Sequence, residues 1–226
     1  MNQFTRQPTA VRHIADSTVR RLSLYLRFLE EFEARGHTTI SSDELAARGG
    51  TTSAQVRKDL SFFGSFGKRG LGYSVPELTG RLRQILGLQR EWRVIIIGAG
   101  KIGAALAQYE GFRQRGFHVA AVFDSDPAKV GQTLDGVVVR HVSELDRVTA
   151  LEQPDIAVIT VPADAAQRVA DQVIDAGVRA IMNFAPIRLQ VPESVALKTV
   201  NMALELEGLS FALSNGRDAE LSGRDA

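Results

Sequence analysis

The sequence Arg93-Val-Ile-Ile-Ile-Gly-Ala-Gly-Lys-Ile-Gly103 decides the fold of this chain. Its first half is a short apolar run, rich in β-branched residues, that predicts a buried parallel strand ending abruptly at glycine. Gly98, Gly100 and Gly103 then supply the G-x-G-x-x-G pattern of a strand-to-helix turn. In that pattern the first glycine permits a sharp bend, the second lets the backbone approach a pyrophosphate, and the third lets the helix pack closely. The stretch therefore predicts a Rossmann-type dinucleotide site.

The sequence that follows the glycines supports this interpretation. A helix is predicted from Ala104 to about Gln114, and a second strand ends at Asp124, 21 positions after Gly103. A carboxylate about 20 residues after the glycines is the group that hydrogen-bonds an adenosine ribose. Asp126 follows without an arginine, so a 2′-phosphate would meet two carboxylates and no cation. We therefore expect NADH/NAD⁺ as the ligand, rather than the NADP(H) pair.

The remainder of the chain predicts a doubly wound α/β sheet. Apolar segments at 137–140, 156–161, 180–184 and 197–202 alternate with helical patterns, which predicts parallel strands in the order 3-2-1-4-5-6. Ligands of such sheets bind at the carboxyl ends of the strands. The predicted cofactor-binding residues are therefore those of the glycine turn, Asp124 and the ends of the fourth and fifth strands: Gly98, Ala99, Gly100, Lys101, Ile102, Gly103, Asp124, Thr160, Val161, Pro162, Asn183, Phe184 and Pro186.

Composition excludes several classes of function. The 226 residues are enough for two domains, and the absence of cysteine excludes disulfides, thiolate metal sites and cysteine catalysis. The first residues lack the apolar segment of a signal peptide, and no apolar run reaches membrane-spanning length. The four histidines have no metal-ligand spacing. We expect a cytoplasmic protein with no membrane partner and no metal.

The overall net charge of +1 hides an asymmetry along the chain. Residues 1–89 hold 13 Lys and Arg against 8 Asp and Glu, a net charge of +5, whereas residues 90–226 hold 14 against 18, a net charge of −4. A basic N-terminal third on a mildly acidic remainder indicates a nucleic-acid partner at that end.

The N-terminal third predicts a helix-turn-helix unit. A long helix begins near Ser17, and two short helices follow, each opened by a capping box: Ser41 with Glu44, and Thr52 with Gln55. The second short helix, to about Phe63, has an exposed polar side suited to base edges and phosphates. That side carries Ser53, Gln55, Arg57, Lys58 and Ser61. Taken alone, a solvated helix face could look the same.

The glycine-rich segment 64–73 distinguishes these readings. It places four glycines and two cations between apolar residues in a predicted hairpin, which suits a wing that lies against DNA. The wing residues predicted to contact DNA are Lys68, Arg69 and Gly70. A helix at about 75–86 completes the domain.

Almost no chain remains after the Rossmann unit for the substrate domain that a dehydrogenase requires. We therefore expect a nucleotide that is sensed and not consumed. Two alternatives stay open: an NAD-dependent oxidoreductase with a regulatory DNA-binding domain, and a sensor of coenzyme A or another adenine nucleotide. Asp124 disfavours a phosphorylated ribose in the second case.

Four stretches together resemble the redox-sensing transcriptional repressor family called Rex. They are Thr18-Val-Arg-Arg-Leu-Ser-Leu-Tyr-Leu-Arg27, Ala54-Gln-Val-Arg-Lys-Asp-Leu-Ser61, Phe63-Gly-Ser-Phe-Gly-Lys-Arg-Gly-Leu-Gly-Tyr73 and Asn183-Phe-Ala-Pro-Ile187. The resemblance implies a homodimer with a winged-helix domain (1–89), a Rossmann domain (90–202) and a C-terminal helix (203–213) that swaps onto the partner subunit. Residues 214–226 are expected to be a disordered tail.

The resemblance also implies a mechanism. NADH binding closes the dimer and releases pseudo-palindromic operator DNA, whereas NAD⁺ competes without closing it. Members of the family couple the two sites through residues that match Arg27, Tyr109 and Asn201. Where the family often has Asp, this chain has Asn201, which can hydrogen-bond but cannot form an ion pair with Arg27.

Overall fold

The structure is a computed structural model that describes residues 14–64, 66 and 72–222, with side chains described up to residue 214. The chain divides into two compact units between Arg90 and Glu91. The boundary predicted from the sequence lies one residue earlier.

The first unit is a helix-turn-helix domain with a small antiparallel sheet. Its elements are α1 (Asp16–Ala34), β1 (Thr39–Ile40), α2 (Ser42–Gly49), α3 (Ser53–Ser61), β2 (Tyr73–Ser74) and α4 (Val75–Ile85). β1 pairs with β2, which follows the predicted wing, so the order of elements is that of a winged helix. The predicted wing residues Lys68, Arg69 and Gly70 lie outside the described residues.

The predicted capping box forms completely at the start of α2, but only one of its two hydrogen bonds forms at the start of α3. At α2 the Ser41 hydroxyl accepts from the Glu44 N–H, and the Glu44 carboxylate accepts from the Ser41 N–H, a complete capping box. At α3 Thr52 accepts from the Gln55 N–H at 3.2 Å, but the Gln55 side chain turns to Asp59 instead. The second capping box was therefore wrong in its reciprocal bond, because a buried carboxylate competes for the amide.

The core of the first unit forms where α1 packs against the short helices and α4. Its buried apolar side chains are Leu22, Tyr25, Leu26, Leu29, Ile40, Leu45, Ala46, Val56, Leu60, Tyr73, Val75, Leu78 and Leu82. The side of α3 that faces this core carries Val56 and Leu60, which are 0% and 2% exposed. This packing fixes α3 with its polar side outward.

The second unit is a doubly wound sheet. Its strands are β3 (Trp92–Ile97), β4 (Phe117–Asp124), β5 (Thr133–Leu134), β6 (Val137–His141), β7 (Ile156–Ile159), β8 (Ala180–Asn183) and β9 (Ala196–Thr199). The order across the sheet is β5-β6-β4-β3-β7-β8-β9. All neighbours pair in parallel except β5 and β6, so the predicted order 3-2-1-4-5-6 is confirmed with one added edge hairpin.

Four helices and a single 3₁₀ turn connect these strands. They are α5 (Lys101–Ala107), α6 (Glu110–Arg113), the 3₁₀ turn Val142–Glu144, α7 (Leu145–Glu152) and α8 (Ala163–Asp175). The central strands β3 and β7 are buried on both faces, as their unbroken apolar sequences predict.

The predicted helix from Ala104 to Gln114 was wrong, because two short helices occupy this segment. The chain leaves helical geometry at Tyr109, whose ψ is 104°. A side chain at Gly111 would begin only 2.5 Å from the Tyr109 ring, so this glycine gives the ring room to fold back. The ring then packs edge-on against Phe112, with centroids 5.3 Å apart.

The last helix, α9 (Met202–Ser222), continues beyond residue 213, where the predicted helix ends. Residues 214–222, expected to be disordered, are helical in backbone. The large apolar side chains of α9 are 57% to 71% exposed: Met202, Leu204, Leu206, Leu209, Phe211 and Leu213. None of the described helices combines the length and apolar character needed to cross a membrane.

Candidate functional site

A cavity of about 740 Å³ opens in the Rossmann unit where the carboxyl ends of β3, β4, β7 and β8 meet. The predicted cofactor residues that line it come from all four strand ends: Gly98, Gly100, Ile102, Asp124, Thr160, Val161, Pro162, Phe184 and Pro186. Its volume is in the range of small-molecule sites. The topology thus brings these sequence-distant residues to one place.

Glycine occupies the three positions of the turn for different physical reasons. Gly98 has a φ of +106°, and a Cβ there would lie 2.9 Å from the Thr160 backbone. A Cβ at Gly103 would lie 1.8 Å from the Gly98 carbonyl oxygen. At Gly100 φ is −74° and a Cβ would meet nothing within 4 Å. Packing therefore requires Gly98 and Gly103, whereas Gly100 leaves open space toward the cavity.

Thr160 fixes the glycine turn from the neighbouring strand end. Its hydroxyl donates to the Gly98 carbonyl at 2.7 Å and lies 3.1 Å from the Ile97 carbonyl. Thr160 thereby connects the end of β7 to the end of β3 at the glycine turn.

Asp124 ends β4 at the cavity wall and is 8% exposed. Its carboxylate accepts from the Ala99 N–H at 2.7 Å, the Asp126 N–H at 2.9 Å and the Lys129 ammonium at 3.1 Å. Burial alone would raise the pKa of Asp124, but these donors outweigh it and hold the pKa below its ordinary value. Asp124 is therefore an ionised acceptor at neutral pH, the form that a ribose hydroxyl needs.

Lys129 corrects the expectation that no cation lies near this carboxylate. Its ammonium lies 3.1 Å from Asp124 and 3.8 Å from Asp126, at the cavity wall. The sequence signal was present, since Lys129 follows Asp124 by five positions on a Pro-containing turn. Only the path of that turn shows that its side chain comes back to the carboxylate.

One face of α8 forms a cavity wall that the sequence analysis did not assign. Ala165, Arg168, Val169 and Gln172 line the cavity at helical spacing. Val142 and Ser143, directly after β6, complete this side. The i, i+3, i+4, i+7 spacing on the helix that follows the fourth strand could have identified this face.

Four predicted cofactor residues do not line the cavity: Ala99, Lys101, Gly103 and Asn183. Asn183 is 0% exposed, donates to the carbonyls of Ala185 and Ile187, and accepts from the Ala185 N–H. It shapes the loop that presents Phe184 and Pro186, because alternation along β8 turns its own side chain inward. Ala99 contributes its N–H to Asp124, and Lys101 begins α5 with an exposed side chain.

Tyr109, which the family resemblance assigns to coupling, lies outside the cavity at the strand ends. It lies beyond the far end of α5, roughly 10 Å along the helix axis from the glycine turn. It is 57% exposed and lines a separate small cavity with Phe112 and Arg113. Tyr109 is therefore not part of the larger cavity.

The exposed side of α3 is the candidate nucleic-acid surface, and its side chains differ in whether they already form hydrogen bonds within the protein. Arg57 donates to the Ser42 hydroxyl at 2.8 Å, and the Ser61 hydroxyl bonds back to the Lys58 carbonyl at 2.7 Å. The Lys58 ammonium is exposed and makes no hydrogen bond or ion pair with the residues that the structure describes. Lys58 is therefore the cation on α3 that is most available to a phosphate or base.

A buried polar network behind α3 was missed by the sequence analysis. Asp59 is 0% exposed and accepts two hydrogen bonds from Arg21, at 2.6 and 2.8 Å. Tyr25 donates at 3.1 Å and the Gln55 amide at 2.8 Å. The Arg21 guanidinium and the other two donors hold the pKa of Asp59 below its usual range despite burial, and burial raises the pKa of Tyr25 to about 12.

This network determines how Gln55 faces outward. A carboxylate only accepts hydrogen bonds, so the Gln55 NH₂ group must point to Asp59. The carbonyl oxygen of Gln55 is left as the acceptor on the other side of the amide. Asp59 thus positions the one predicted base-reading amide on α3.

The two other residues predicted for coupling are polar and accessible. Arg27 is exposed on α1. The Asn201 side-chain oxygen accepts from the Ala203 N–H at 3.0 Å, so Asn201 caps the start of α9.

Family models match both units of the chain. Residues 13–61 match a model described as "Putative DNA-binding protein N-terminus", and residues 89–187 match one described as a CoA binding domain. The first agrees with the predicted helix-turn-helix domain, and the second with a nucleotide-binding Rossmann unit.

Among curated relatives, the redox-sensing transcriptional repressor Rex of Desulfitobacterium hafniense is 46% identical over 204 residues, covering 90% of this chain and 97% of the relative. The Rex protein of Streptomyces coelicolor is 47% identical over 206 residues, covering 91% and 80% of the two chains. Both are named as repressors and not as enzymes, in agreement with the expectation that the ligand is sensed.

Solved structures match over nearly the whole chain. A crystal structure of RSP in complex with β-NAD⁺ and operator DNA has a TM-score of 0.87 and 39% identity, covering 95% of this chain and 99% of that one. A structure of RSP with β-NADH has a TM-score of 0.84 and 37% identity, covering 94% and 99%. The chain therefore belongs to the Rex family of redox-sensing transcriptional repressors.

Proposed function

We propose that this protein represses transcription by binding operator DNA through its N-terminal domain, and that NADH in the Rossmann cavity releases it. One observation carries the proposal: a single chain joins a helix-turn-helix domain to a glycine-turn cavity with a ribose-type carboxylate. A relative with the same arrangement was solved with β-NAD⁺ and operator DNA together. Operator DNA lies in the cytoplasm of a bacterium, and we assign the protein to that compartment.

The nucleotide would lie across the carboxyl edge of the sheet. Gly100 leaves space for the pyrophosphate, Asp124 would accept a ribose hydroxyl, and Phe184 with Pro186 would contact the nicotinamide. The last two are apolar, and the nicotinamide ring of NADH is neutral whereas that of NAD⁺ is cationic. An apolar contact favours the neutral ring, so the cavity would bind NADH more tightly than NAD⁺.

We propose the outer side of α3 as the DNA surface, with Lys68, Arg69 and Gly70 of the sequence-predicted wing as further DNA contacts. Lys58 and Arg57 supply cations for phosphates or guanine, while Ser53, Gln55 and Ser61 supply polar groups. Phosphate contacts of this kind are sensitive to salt and would account for most of the affinity.

We further propose that the protein acts as a homodimer on pseudo-palindromic DNA and that α9 forms the interface. Met202, Leu206, Leu209 and Leu213 repeat at spacings of four, three and four residues, the pattern of a helix that packs against another helix. All four are more than half exposed. A second copy of the chain that covered this stripe would bury it, as in a swapped helix. Arg27, Tyr109 and Asn201 are accessible enough to couple the nucleotide to this rearrangement.

The name of the matched CoA binding domain raises coenzyme A as a second ligand. Coenzyme A carries a 3′-phosphate on its ribose, and the group of Asp124, Asp126 and Lys129 would face that phosphate with two negative charges against one positive charge. We therefore propose NAD(H), and competition between coenzyme A and bound NADH separates the two.

Fluorescence anisotropy of a labelled palindromic operator tests the function directly. With NADH the anisotropy should fall at concentrations well below those at which NAD⁺ has any effect. Release by coenzyme A but not by NADH, or no release by any nucleotide, would overturn the proposal.

A further inference from the structure

The turn after β4 brings a cation back to the carboxylate at the end of that strand. Asp124 accepts from the Asp126 N–H at 2.9 Å, and Asp126 accepts from the Ala128 N–H at 2.9 Å. The Lys129 N–H then donates to the Asp126 carbonyl at 3.0 Å. These local bonds define the turn and direct the Lys129 side chain toward Asp124.

The Asp124 carboxylate can accept few further hydrogen bonds. A carboxylate offers about four lone-pair sites. Three donors already occupy it: the N–H groups of Ala99 and Asp126, and the ammonium of Lys129. One site is left for a ligand, and the Lys129 bond is the one that a second ribose hydroxyl could displace, because Lys129 is 35% exposed.

We propose that Lys129 is a specificity-determining residue of the nucleotide cavity: paired with Asp124 it is withheld from a 2′-phosphate, and without Asp124 it would bind one. The inference deepens the proposed function and rests on it. Exclusion of NADPH would then depend chiefly on Asp124, although a cation suited to NADPH is already in place.

The local charges support this assignment. Asp124 and Asp126 contribute two negative charges and Lys129 one positive charge, so the group repels a phosphate dianion as it stands. Replacement of Asp124 by a neutral residue removes the net negative charge. It also leaves Lys129 beside Asp126 at 3.8 Å, beyond hydrogen-bond distance, with its donors free for the phosphate.

The experiment measures direct binding of NADH and NADPH to the full chain by fluorescence of the reduced nicotinamide, without DNA. The variants are Asp124→Ser, Lys129→Gln and the double variant. Lys198→Gln, an exposed lysine on β9 outside the cavity, serves as the control for loss of one positive charge. Serine at position 124 keeps an acceptor for the Ala99 N–H, which protects the glycine turn.

Loss of a hydrogen bond to a charged group corresponds to a change of about tenfold or more in affinity. Asp124→Ser should therefore weaken NADH binding by about tenfold and strengthen NADPH binding by about tenfold. The double variant should lose most of the NADPH gain. Lys129→Gln alone should change NADH affinity by less than about fivefold, since its ion pair with Asp124 is partly exposed.

The inference is overturned if Asp124→Ser binds NADPH equally well with and without Lys129. It is also overturned if the NADPH-to-NADH affinity ratio of Asp124→Ser equals that of the wild type. A purely structural role for Lys129 would weaken both nucleotides together and leave this ratio unchanged. If the wild-type protein binds NADH but the variants do not shift the ratio, the inference alone fails; if the wild type binds no NADH, the proposed function fails.

Discussion

Replacement of Asp59 by Asn would test how far the buried network behind α3 controls DNA binding. Asp59 is fully buried and accepts four hydrogen bonds from Arg21, Tyr25 and Gln55. Asparagine has nearly the same shape, but one oxygen becomes an NH₂ group that faces donors. The Tyr25 hydroxyl can rotate and accept from it, whereas the Arg21 guanidinium cannot. The variant therefore loses one bond to Arg21 and the charge that pairs with it.

Removal of one partner from a buried ion pair costs about 3–5 kcal/mol. Arg21 is 25% exposed, so water can partly replace the lost carboxylate. We therefore expect the free energy of unfolding of the N-terminal domain to fall by about 3 kcal/mol at neutral pH. Because the folded-state pKa of Asp59 is lowered, its stabilisation is present above the unfolded pKa of about 3.9 and disappears as pH falls through the folded value.

Urea unfolding of the full chain can separate the two units, because Trp92 is the single tryptophan and belongs to the Rossmann unit. The circular-dichroism signal comes from the helices of both units, so its N-terminal part should unfold at lower urea in Asp59→Asn while the Trp92 fluorescence transition stays in place. Asp43→Asn, an exposed substitution on α2, should change stability by less than about 1 kcal/mol. Operator affinity should fall with NADH affinity unchanged. Equal transitions in Asp59→Asn and Asp43→Asn would refute the reasoning.

Three further predictions concern single side chains. The pKa of Tyr25 is raised to about 12, so its contribution to the free energy of unfolding is present below pH about 10 and is lost as pH rises toward 12. Tyr25→Phe should abolish this alkaline loss of about 2 kcal/mol. A loss of stability that persists in Tyr25→Phe, measured by unfolding at a series of alkaline pH values, would contradict the assignment. Gly100→Ala should fold normally and bind NADH at least about tenfold more weakly, whereas Gly103→Ala should lower the melting temperature, because its Cβ would lie 1.8 Å from the Gly98 oxygen; calorimetry with a NADH titration would show whether the two effects separate. Lys58→Gln should reduce the slope of log operator affinity against log salt by about one unit per subunit, and an unchanged slope would remove Lys58 from the phosphates.

The local elements of both domains could be predicted from the sequence because their causes are local. The Ser41 and Glu44 capping box needs only four consecutive residues, and it forms as predicted. The strand order follows from alternating strands and helices with right-handed crossovers. The positions of Gly98 and Gly103 follow from the G-x-G-x-x-G pattern, and the short Cβ distances explain why glycine is required there.

Side-chain directions at the sites were less predictable. Asn183 was assigned to the cavity because it ends a strand, yet the pleat of β8 turns it into the loop behind. Tyr109 was assigned to a continuous helix, yet Gly111 allows a break that places it away from the cavity. In each case a small local feature, the position along the strand or the missing Cβ of a glycine, decides the direction of the side chain. The periodicity of apolar residues does not contain that information.

The sequence by itself determined the two domains, the strand order, the glycine turn, the carboxylate at Asp124 and the family. Only the tertiary structure decided that Asp59 is buried and that Lys129 pairs with Asp124. Asp59 lies among polar residues on a short helix, and its burial depends on Arg21, 38 positions away on another helix. The partner of Lys129 depends on the path of a turn. Burial and ion pairing depend on contacts between groups that can be far apart in the sequence, and these contacts form only when the helices, strands and turns have packed together.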